Sequence, residues 1–332
     1  MVLVNGKNIN LMQFKIFPIA GDASFRKFYR IKLNKKSQII VSSKKDKFNN
    51  LVAYSAVNKF LRNQNILTPK LYSHDYSQGI IVIQDFGDLT FNKILAKQKN
   101  KFKTYKKITD LLLKIQKIKP KSKIKTFIGK SHKLKKYTKK YLHKESDLFF
   151  DWYLPLILNK KKVLEVKKKV KKSLSNLYKI LYFPNTCFVH RDFHAQNLMK
   201  VGGKIGVIDS QDSLIGNPTY DLVSLIDDVR IKTSKKLKDK IYKYYLQKTS
   251  KVYRIRSDKF FQDYNILSVQ RSLKIIGIFS RLAKRDKKNK YLKLIPYTWS
   301  LLESRIRTKI FSDLKKILDH NIPPTIRKKI LK

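Results

Sequence analysis

The chain has 332 residues, of which 42% are hydrophobic and 12% aromatic, which is enough apolar material for a sizeable core in about two domains. This composition excludes a largely disordered chain, and a single cysteine, Cys187, excludes a disulfide framework and a cysteine-based zinc site. No apolar run has the length of a signal-peptide core or a membrane span, so we expect a soluble, cytoplasmic protein without a membrane partner.

The strongest bias in the composition is its charge, since 76 Lys and Arg against 23 Asp and Glu give +53 at pH 7. Phosphate neutralisation by nucleic-acid-binding proteins is one reason for such an excess. The basic residues here are mostly lysine and run along almost the whole chain, whereas base and phosphate readers favour arginine. An AT-rich genome produces the same bias. The charge therefore allows weak, salt-sensitive polyanion binding and predicts no specific nucleic-acid partner.

The first third of the chain has a β-rich pattern. Short β-branched and aromatic runs predict three strands within residues 10–45, and Gly21–Asp22 supplies turn chemistry between the first two. Apolar residues at helical spacing predict a helix at about 47–62. Two further runs, at 70–76 and 79–86, predict a hairpin whose second strand ends at Asp85.

From Leu89 onward the pattern is mainly helical, with helices expected at 108–118, at about 161–181 and throughout 219–332. Residues 111–144 contain many lysines and no acid, and we expect them to form a solvated helical face. Residues 198–208 interrupt the helical rhythm, because two apolar runs joined by Gly202–Gly203 predict a tight hairpin.

The residues that carry chemistry surround this hairpin. Asp192 precedes Asn197 by five residues, and Asp209 ends the second apolar run of the hairpin. Phosphoryl transfer needs one carboxylate to orient and deprotonate the attacking hydroxyl, and oxygen ligands to hold Mg²⁺. The segment from His190 to Asn197 matches the kinase catalytic-loop pattern H-R-D-x-x-x-x-N. The joint pattern is far more specific than an isolated HRD triplet.

On these motifs the chain resembles the aminoglycoside phosphotransferase/choline kinase-like superfamily over about residues 17–300. Within it the chain is most similar to the anomeric N-acetylmuramate/N-acetylglucosamine kinases. The segments that carry the resemblance are GDASFR (21–26), QDFGD (84–88), WYL (152–154), VHRDFHAQNLM (189–199), GVIDSQD (206–212), YDLVSL (220–225) and the run from Gln270 to Leu282.

The resemblance implies an α+β, bilobal protein-kinase-like fold. It places a small β-rich N-lobe at 1–84, a hinge at 85–88, and a larger, mostly helical C-lobe at 89–332 with the catalytic loop, the metal site and the acceptor-binding helices. It implies an ATP- and Mg²⁺-dependent phosphotransferase that acts on the anomeric hydroxyl of a cell-wall sugar in peptidoglycan recycling. Two alternatives stay open: a kinase of an aminoglycoside, choline or an amino-alcohol, and a catalytically silent kinase fold that binds polyanions.

The same resemblance implies roles for individual residues. Asp192 corresponds to the catalytic base, Asn197 and Asp209 to the metal ligands, and Asp221 to a structural support of the catalytic loop. The expected nucleotide-binding residues are Gly21, Asp22, Ala23, Ser24 and Phe25 over the phosphates, and Gln84, Asp85 and Phe86 at the adenine. The candidate acceptor-binding residues are His194, Gln211, Asp212 and Arg271.

The chain departs from the family pattern in two places. The third strand carries Ser42 where many of these kinases have a phosphate-fixing lysine, and residues 47–74 contain no acid to pair with one. Lys44 and Lys45 are the available substitutes, and a solvated side chain is an equal expectation for either of them. Ser210 replaces a phenylalanine beside the metal aspartate.

One later helix is a candidate receiver of an acceptor carboxylate. Arg271, Lys274, Ile278 and Arg281 share one helical face. In a protein this basic, a solvated face is the stronger expectation for these side chains.

Overall fold

The computed structural model describes residues 2–4, 7–9, 15–19, 26–33, 36–44, 48–250 and 256–330. The chain divides into two compact units. The first comprises Met1–Lys101, Lys117–Lys135 and His190–Leu214, and the second comprises Phe102–Gln116, Lys136–Val189 and Ile215–Lys332. The lobe boundaries expected from the sequence stay a prediction.

Most of the strands lie early in the chain, and most of the helices lie late. In chain order the strands are β1 (Val2–Val4), β2 (Lys7–Ile9), β3 (Ile16–Ile19), β4 (Lys27–Leu33), β5 (Lys36–Ser42), β6 (Leu71–Asp75), β7 (Ile80–Gln84), β8 (Lys123–Lys125), β9 (Ser131–Lys133), β10 (Cys187–Val189), β11 (Leu198–Val201), β12 (Lys204–Val207) and β13 (Leu214–Gly216). The α-helices are α1 (Phe48–Asn63), α2 (Phe91–Lys97), α3 (Lys101–Gln116), α4 (Lys139–Leu148), α5 (Lys160–Lys179), α6 (Thr219–Ile226), α7 (Lys235–Ser250), α8 (Ser257–Lys284), α9 (Ile295–Arg305), α10 (Ser312–Asn321) and α11 (Pro324–Lys328).

The first unit is built on a five-stranded antiparallel sheet with strand order β3-β4-β5-β7-β6. Residues alternate between its two faces, as the two-residue period of a strand requires. Ile39 and Val41 pack with Leu51 and Tyr54 of α1, whereas Ile40 packs on the opposite face. The strands and the helix predicted for this part of the chain are confirmed.

A hairpin of β11 and β12 completes the part of the first unit that carries the catalytic segment. Leu198 pairs with Val207, and Gly202 adopts a left-handed φ of +55° in the connecting turn. Two backbone hydrogen bonds connect this hairpin to the segments that precede β6 and follow β7. Lys200 N donates to Leu89 O at 2.8 Å, and Val207 N donates to Leu67 O at 2.8 Å. The Gly-Gly hairpin prediction is confirmed.

The lysine-rich stretch 111–144 is not helical throughout, so that expectation is wrong for its middle. Strands β8 and β9 form an antiparallel hairpin there. Ile124 is buried between two exposed lysines, which is the alternation of a strand rather than of a helix. Thr126 Oγ1 donates to Lys130 O at 2.6 Å and closes the turn, in which Gly129 has a φ of +77°.

The second unit is helical and is organised around α8, whose 28 residues are mostly buried. This helix packs against α4, α6 and α9 and against the π-helical turn at Phe149–Tyr153. Gly277 allows the close approach, because a Cβ there would lie 2.3 Å from the Leu148 carbonyl carbon. Trp299 Nε1 donates to Tyr153 Oη at 3.0 Å within this core.

One buried carboxylate of the second unit, Asp227, is paired with two cations. Asp227 accepts hydrogen bonds from Lys238 Nζ at 2.8 Å, from Ser268 Oγ at 2.8 Å and from Arg305 Nη2 at 3.0 Å. Burial raises the pKa of Asp227, but Arg305, Lys238 and Ser268 outweigh burial and hold that pKa below its usual range. Among the described residues no helix is long and apolar enough to cross a bilayer.

Candidate active site

Hydrogen bonds hold the catalytic segment beside the end of β12. His190 is 1% exposed, and its Nε2 lies 3.0 Å from Ile208 O. Ile208 N in turn donates to Asn197 O at 3.1 Å. The two ends of the segment 190–197 are therefore fixed against the residue that precedes Asp209, although these positions are distant in the chain.

A single turn sets the geometry between Asp192 and Asn197. His194 N donates to Asp192 O at 3.0 Å, and residues Ala195–Asn197 form a 3-10 turn. Asn197 Nδ2 also donates to Asp192 O, at 3.0 Å. Because the amide nitrogen makes this bond, the amide oxygen Oδ1 points to the other side as an acceptor. The five-residue spacing thus orients Asn197 as an oxygen ligand.

Two residues of this region adopt left-handed backbone conformations that are unfavourable for side-chain-bearing residues. Arg191 has a φ of +74° and Asp209 a φ of +66°. Each conformation costs on the order of 1–3 kcal/mol and persists only where the surrounding structure enforces it. Arg191 is held by Asp212, whose backbone oxygen accepts from Nη1 at 3.2 Å and whose Oδ1 lies 3.7 Å from the same nitrogen. The strain is located beside the predicted base and at a predicted metal ligand, as at many functional sites.

Asp209 is engaged by Arg26, the last residue of the GDASFR segment, which has no role of its own in the sequence prediction. Arg26 Nη2 forms an ion pair with Asp209 Oδ1, and Arg26 Nη1 donates to Gln211 Oε1 at 3.1 Å. The Arg26 side chain is 4% exposed, whereas that of Asp209 is 36% exposed. The Arg26 guanidinium lies 5.5 Å from the centroid of the Phe28 ring and 5.6 Å from that of Tyr54.

The serine beside Asp209 has a specific partner on α1. Ser210 Oγ donates to Asn58 Oδ1 at 2.7 Å, and both residues are buried. This bond replaces the apolar packing that a phenylalanine would provide at position 210. Tyr54, one turn before Asn58, is buried too, and burial raises its pKa to about 12. An asparagine on the apolar face of a helix was the available signal for this contact.

At the predicted hinge, Asp85 is committed to structural contacts. Its carboxylate accepts from Arg30 Nε at 2.6 Å, Ser37 Oγ at 2.8 Å and Gly87 N at 2.8 Å. Burial raises the pKa of Asp85, but these hydrogen bonds outweigh burial and lower that pKa overall. Any contact of Asp85 with a nucleotide therefore falls to its backbone.

The two neighbours of Asp85 are positioned by the sheet and by the β11–β12 hairpin. Gln84 ends β7, and its backbone N donates to Lys70 O at 2.8 Å. Phe86 is 8% exposed and packs on Gly206, where a Cβ would lie 2.6 Å from Phe86 Cε2.

Besides Gln84, Asp85 and Phe86, the first unit holds the predicted site residues Asp192, His194, Asn197, Asp209, Gln211 and Asp212. Gln211 Nε2 donates to Asp212 Oδ2 at 3.1 Å, and His194 is 5% exposed. The predicted phosphate-covering residues Gly21, Asp22, Ala23, Ser24 and Phe25 lie outside the described residues, as does Lys45. Lys44 is exposed.

The donor set suits a hard divalent cation. No three His, Cys, Asp or Glu side chains form a metal cluster in the described ranges, but the predicted ligands include an amide. Asn197 directs its amide oxygen away from Asp192 O, and Asp209 is partly exposed with one oxygen paired to Arg26. Carboxylate and amide oxygens are ligands that Mg²⁺ accepts. The residues present therefore fit Mg²⁺.

Two other predicted residues, Arg271 and Asp221, lie in the second unit and are both buried, at 4% and 0% exposure. The Arg271 guanidinium lies 5.7 Å from the centroid of the Tyr220 ring. Lys274 is 5% exposed, and its Nζ lies 3.0 Å from Glu145 Oε1. The expectation of a solvated face at these positions is wrong, because the α8 face that carries Arg271 and Lys274 is packed inside the helical unit.

Residues 15–255 match the profile of the phosphotransferase enzyme family. The chain belongs to this family. The family resemblance and the phosphotransferase class predicted from the motifs are thereby confirmed.

Among curated relatives, a Neisseria meningitidis protein named N-acetylmuramate/N-acetylglucosamine kinase is 26% identical over 280 residues, covering 83% of this chain and 81% of the relative. A Pseudomonas aeruginosa protein of the same name is 27% identical over 296 residues, covering 88% of this chain and 84% of the relative.

Solved structures of the family share the fold. A choline/ethanolamine kinase family protein from Mesorhizobium loti aligns with a TM-score of 0.60 at 12% identity, covering 92% of each chain. The ADP-bound aminoglycoside phosphotransferase APH(2'')-Ib aligns with a TM-score of 0.58 at 16% identity, covering 90% of this chain and 94% of that one. The α+β protein-kinase-like fold class is confirmed.

Proposed function

We propose that this phosphotransferase uses ATP to phosphorylate the anomeric hydroxyl of N-acetylmuramate and N-acetylglucosamine, in the cytoplasm and in the course of peptidoglycan recycling. The observation that carries phosphoryl transfer is the fixed catalytic segment, in which Asp192 and Asn197 share a turn beside Asp209. The choice of sugar is supported by four curated relatives that carry this kinase name at 25–27% identity.

In the proposed reaction Asp192 orients the acceptor hydroxyl and accepts its proton. The hydroxyl oxygen forms a bond to the γ-phosphorus of ATP while the bond from that phosphorus to the β,γ-bridging oxygen breaks, which releases ADP. Asp192 is partly exposed and follows the strained Arg191, so its carboxylate is presented on a rigid loop. A positioned carboxylate of this kind contributes about 10²–10⁴-fold to the rate.

Asn197 and Asp209 would hold Mg²⁺, which when bound supplies positive charge to the phosphate oxygens. We assign the phosphates to the loop of Gly21–Phe25 and the adenine to the backbone of Gln84–Phe86. Arg30 and Ser37 hold the Asp85 side chain, which keeps this backbone in a fixed position.

For the acceptor we propose His194, Gln211 and Asp212 as candidate contacts in the first unit. Arg271 stays a separate prediction, because its side chain is buried within the second unit. Asp212 is the more accessible of the two aspartates that flank Ser210–Gln211, with 54% of its side chain exposed.

A cationic aminoglycoside requires an acidic pocket, which a chain with 23 acids and a net charge of +53 is poorly composed to provide. A neutral or anionic sugar fits this composition better. Polyanion binding by the surface would be weak and would decline with salt.

The Asp192→Asn variant tests the assignment of the base. We expect turnover of N-acetylmuramate, measured as ADP release, to fall by about 10²–10⁴-fold. The thermal unfolding midpoint should stay near that of the wild type, because the two side chains have the same shape. Asp313→Asn is the matched control, since Asp313 is exposed on α10 and should keep full turnover. Undiminished turnover in Asp192→Asn would show that Asp192 is not the base.

A further inference from the structure

The site lacks the lysine that many related kinases place on the third strand. Strand β5 ends at Val41 and Ser42, and α1 contains no acid in its sequence. A carboxylate such as Asp209 needs a fixed orientation if it is to hold a metal. In this chain the cation that engages Asp209 is Arg26, the residue that precedes β4.

The environment of Arg26 restrains its guanidinium in one position. Its side chain is 4% exposed, and the rings of Phe28 and Tyr54 lie within 5.6 Å of the guanidinium carbon. Arginine has a rigid fork of donors, so two of its nitrogens can serve two different partners at once. Here one nitrogen binds Asp209 and the other binds Gln211.

These contacts continue beyond Gln211 towards the predicted base. Gln211 Nε2 donates to Asp212 Oδ2 at 3.1 Å, and Asp212 O accepts from Arg191, the residue before Asp192. Arg26 thus begins a series of polar contacts that runs through Gln211 and Asp212 to Arg191, the residue before the predicted base. A buried charge-assisted contact of this type orients the group that it binds.

We propose that Arg26 is a positioning residue that orients Asp209 in a site without the strand lysine. It binds Oδ1 of Asp209 and leaves Oδ2 for the metal that accompanies the nucleotide. This inference rests on the proposed function, because it takes Asp209 to be a metal ligand. The positioning role of Arg26 differs from direct binding of Arg26 to the phosphates. A phosphate-binding Arg26 would strengthen nucleotide binding whether or not metal is present.

Calorimetric titration with ADP, in Mg²⁺ and in EDTA, separates these roles without relying on turnover. We expect Arg26→Gln to weaken ADP binding in Mg²⁺ by about 10–100-fold, the usual effect of removing a group that supports a metal ligand. Binding in EDTA should match that of the wild type. Lys27→Gln is the matched control, because it removes the same charge from the exposed next residue and should bind ADP normally in both buffers.

Circular dichroism will show whether Arg26→Gln folds. If it does not fold, two further variants test the same role of Arg26. Arg26→Lys retains the charge but reaches only one of the two partners, so its loss should be smaller and again confined to Mg²⁺. Asp209→Asn should abolish the Mg²⁺ dependence, and adding Arg26→Lys to it should weaken ADP binding no further.

Each outcome has one meaning. Equal losses in Mg²⁺ and EDTA would assign Arg26 to the phosphates, and no loss in either buffer would deny it any role at Asp209; both results overturn the proposal. If wild-type protein itself binds ADP without any dependence on Mg²⁺, the proposed metal site fails at Asp209, and the role of Arg26 fails with it. Normal Mg²⁺ dependence in the wild type and in Arg26→Gln refutes the role of Arg26 alone.

Discussion

Lys274→Met should destabilise the second unit strongly, although no step of the proposed reaction is assigned to Lys274. Lys274 Nζ lies 3.0 Å from Glu145 Oε1, with the two side chains only 6% and 7% exposed. Methionine preserves the length and the apolar body of the lysine side chain, so the change removes the charge with little loss of packing. The variant therefore isolates the effect of removing the Lys274 charge from beside the buried Glu145.

The expected cost follows from the contacts that remain. Removing one partner of a buried ion pair costs about 3–5 kcal/mol. Glu145 Oε2 still accepts from Tyr137 Oη and from Gln270 Nε2, the latter at 3.2 Å. Because these donors are retained, we place the loss at the lower end, about 3 kcal/mol. Adding Glu145→Gln removes the charge that Lys274 balanced and should recover about 1–3 kcal/mol.

Urea unfolding followed by tryptophan fluorescence measures this loss directly. Both tryptophans, Trp152 and Trp299, lie in the second unit, so the signal reports on that unit. Lys284→Met is the matched control, since Lys284 is an exposed lysine in the last turn of the same helix and should change stability by less than about 0.5 kcal/mol. A loss below about 1 kcal/mol in Lys274→Met, or no recovery in the double variant, would refute the reasoning.

Two other substitutions test the packing and the buried charges. Gly206→Ala should cost about 1–3 kcal/mol in urea unfolding, because its Cβ would meet Phe86 at 2.6 Å, whereas Gly203→Ala meets nothing within 4 Å and should be nearly neutral. Asp227→Asn should lose stability at pH 7, where the lowered pKa of Asp227 favours folding. This stabilisation is fully present above the pKa of an aspartate in the unfolded chain, near 3.9, and is lost as pH falls through the lower pKa of folded Asp227. The free energies of unfolding of the wild type and of Asp227→Asn should therefore converge below about pH 4. A constant difference from pH 7 to pH 3, or equal costs of the two alanine substitutions, would contradict these accounts.

The elements with a sustained hydrophobic period are predictable from the sequence. Helix α5 and the β11–β12 hairpin form where their patterns indicate, because their buried residues recur locally along the chain. The β8–β9 hairpin is not predictable in this way. Each of its strands has three residues, and the pattern of β8 consists of Ile124 between two lysines. One buried residue cannot define a period, and the surrounding lysine run resembles a helix surface.

The candidate site shows the same division between local and long-range information. Asp192, Asn197 and Asp209 are identifiable from spacing, because the turn and hairpin that join them are contiguous in the chain. The contacts that hold Asp209 and Ser210 join residues far apart. Arg26 lies 183 positions from Asp209, and Asn58 lies 152 positions from Ser210. No local pattern encodes such pairs, and only the folded chain brings them together.

Because lysine is so abundant, the sequence does not show which basic residues are buried and paired inside the fold. Asp209, Glu145 and Asp227 each hold a buried or largely buried cation, in a chain with only 23 acids. From composition alone, Arg26 and Lys274 are indistinguishable from the many basic residues on the surface. Burial and pairing in the structure separate them from that background.

The most direct test of the proposed function is ³¹P NMR of the wild-type protein with ATP, Mg²⁺ and a panel of acceptors comprising N-acetylmuramate, N-acetylglucosamine, choline and an aminoglycoside. The account predicts a new phosphomonoester signal with either sugar, coupled to the anomeric proton of that sugar, and no new signal with choline or the aminoglycoside. A phosphate on any other hydroxyl, a product from choline or the aminoglycoside alone, or no product with either sugar would contradict it.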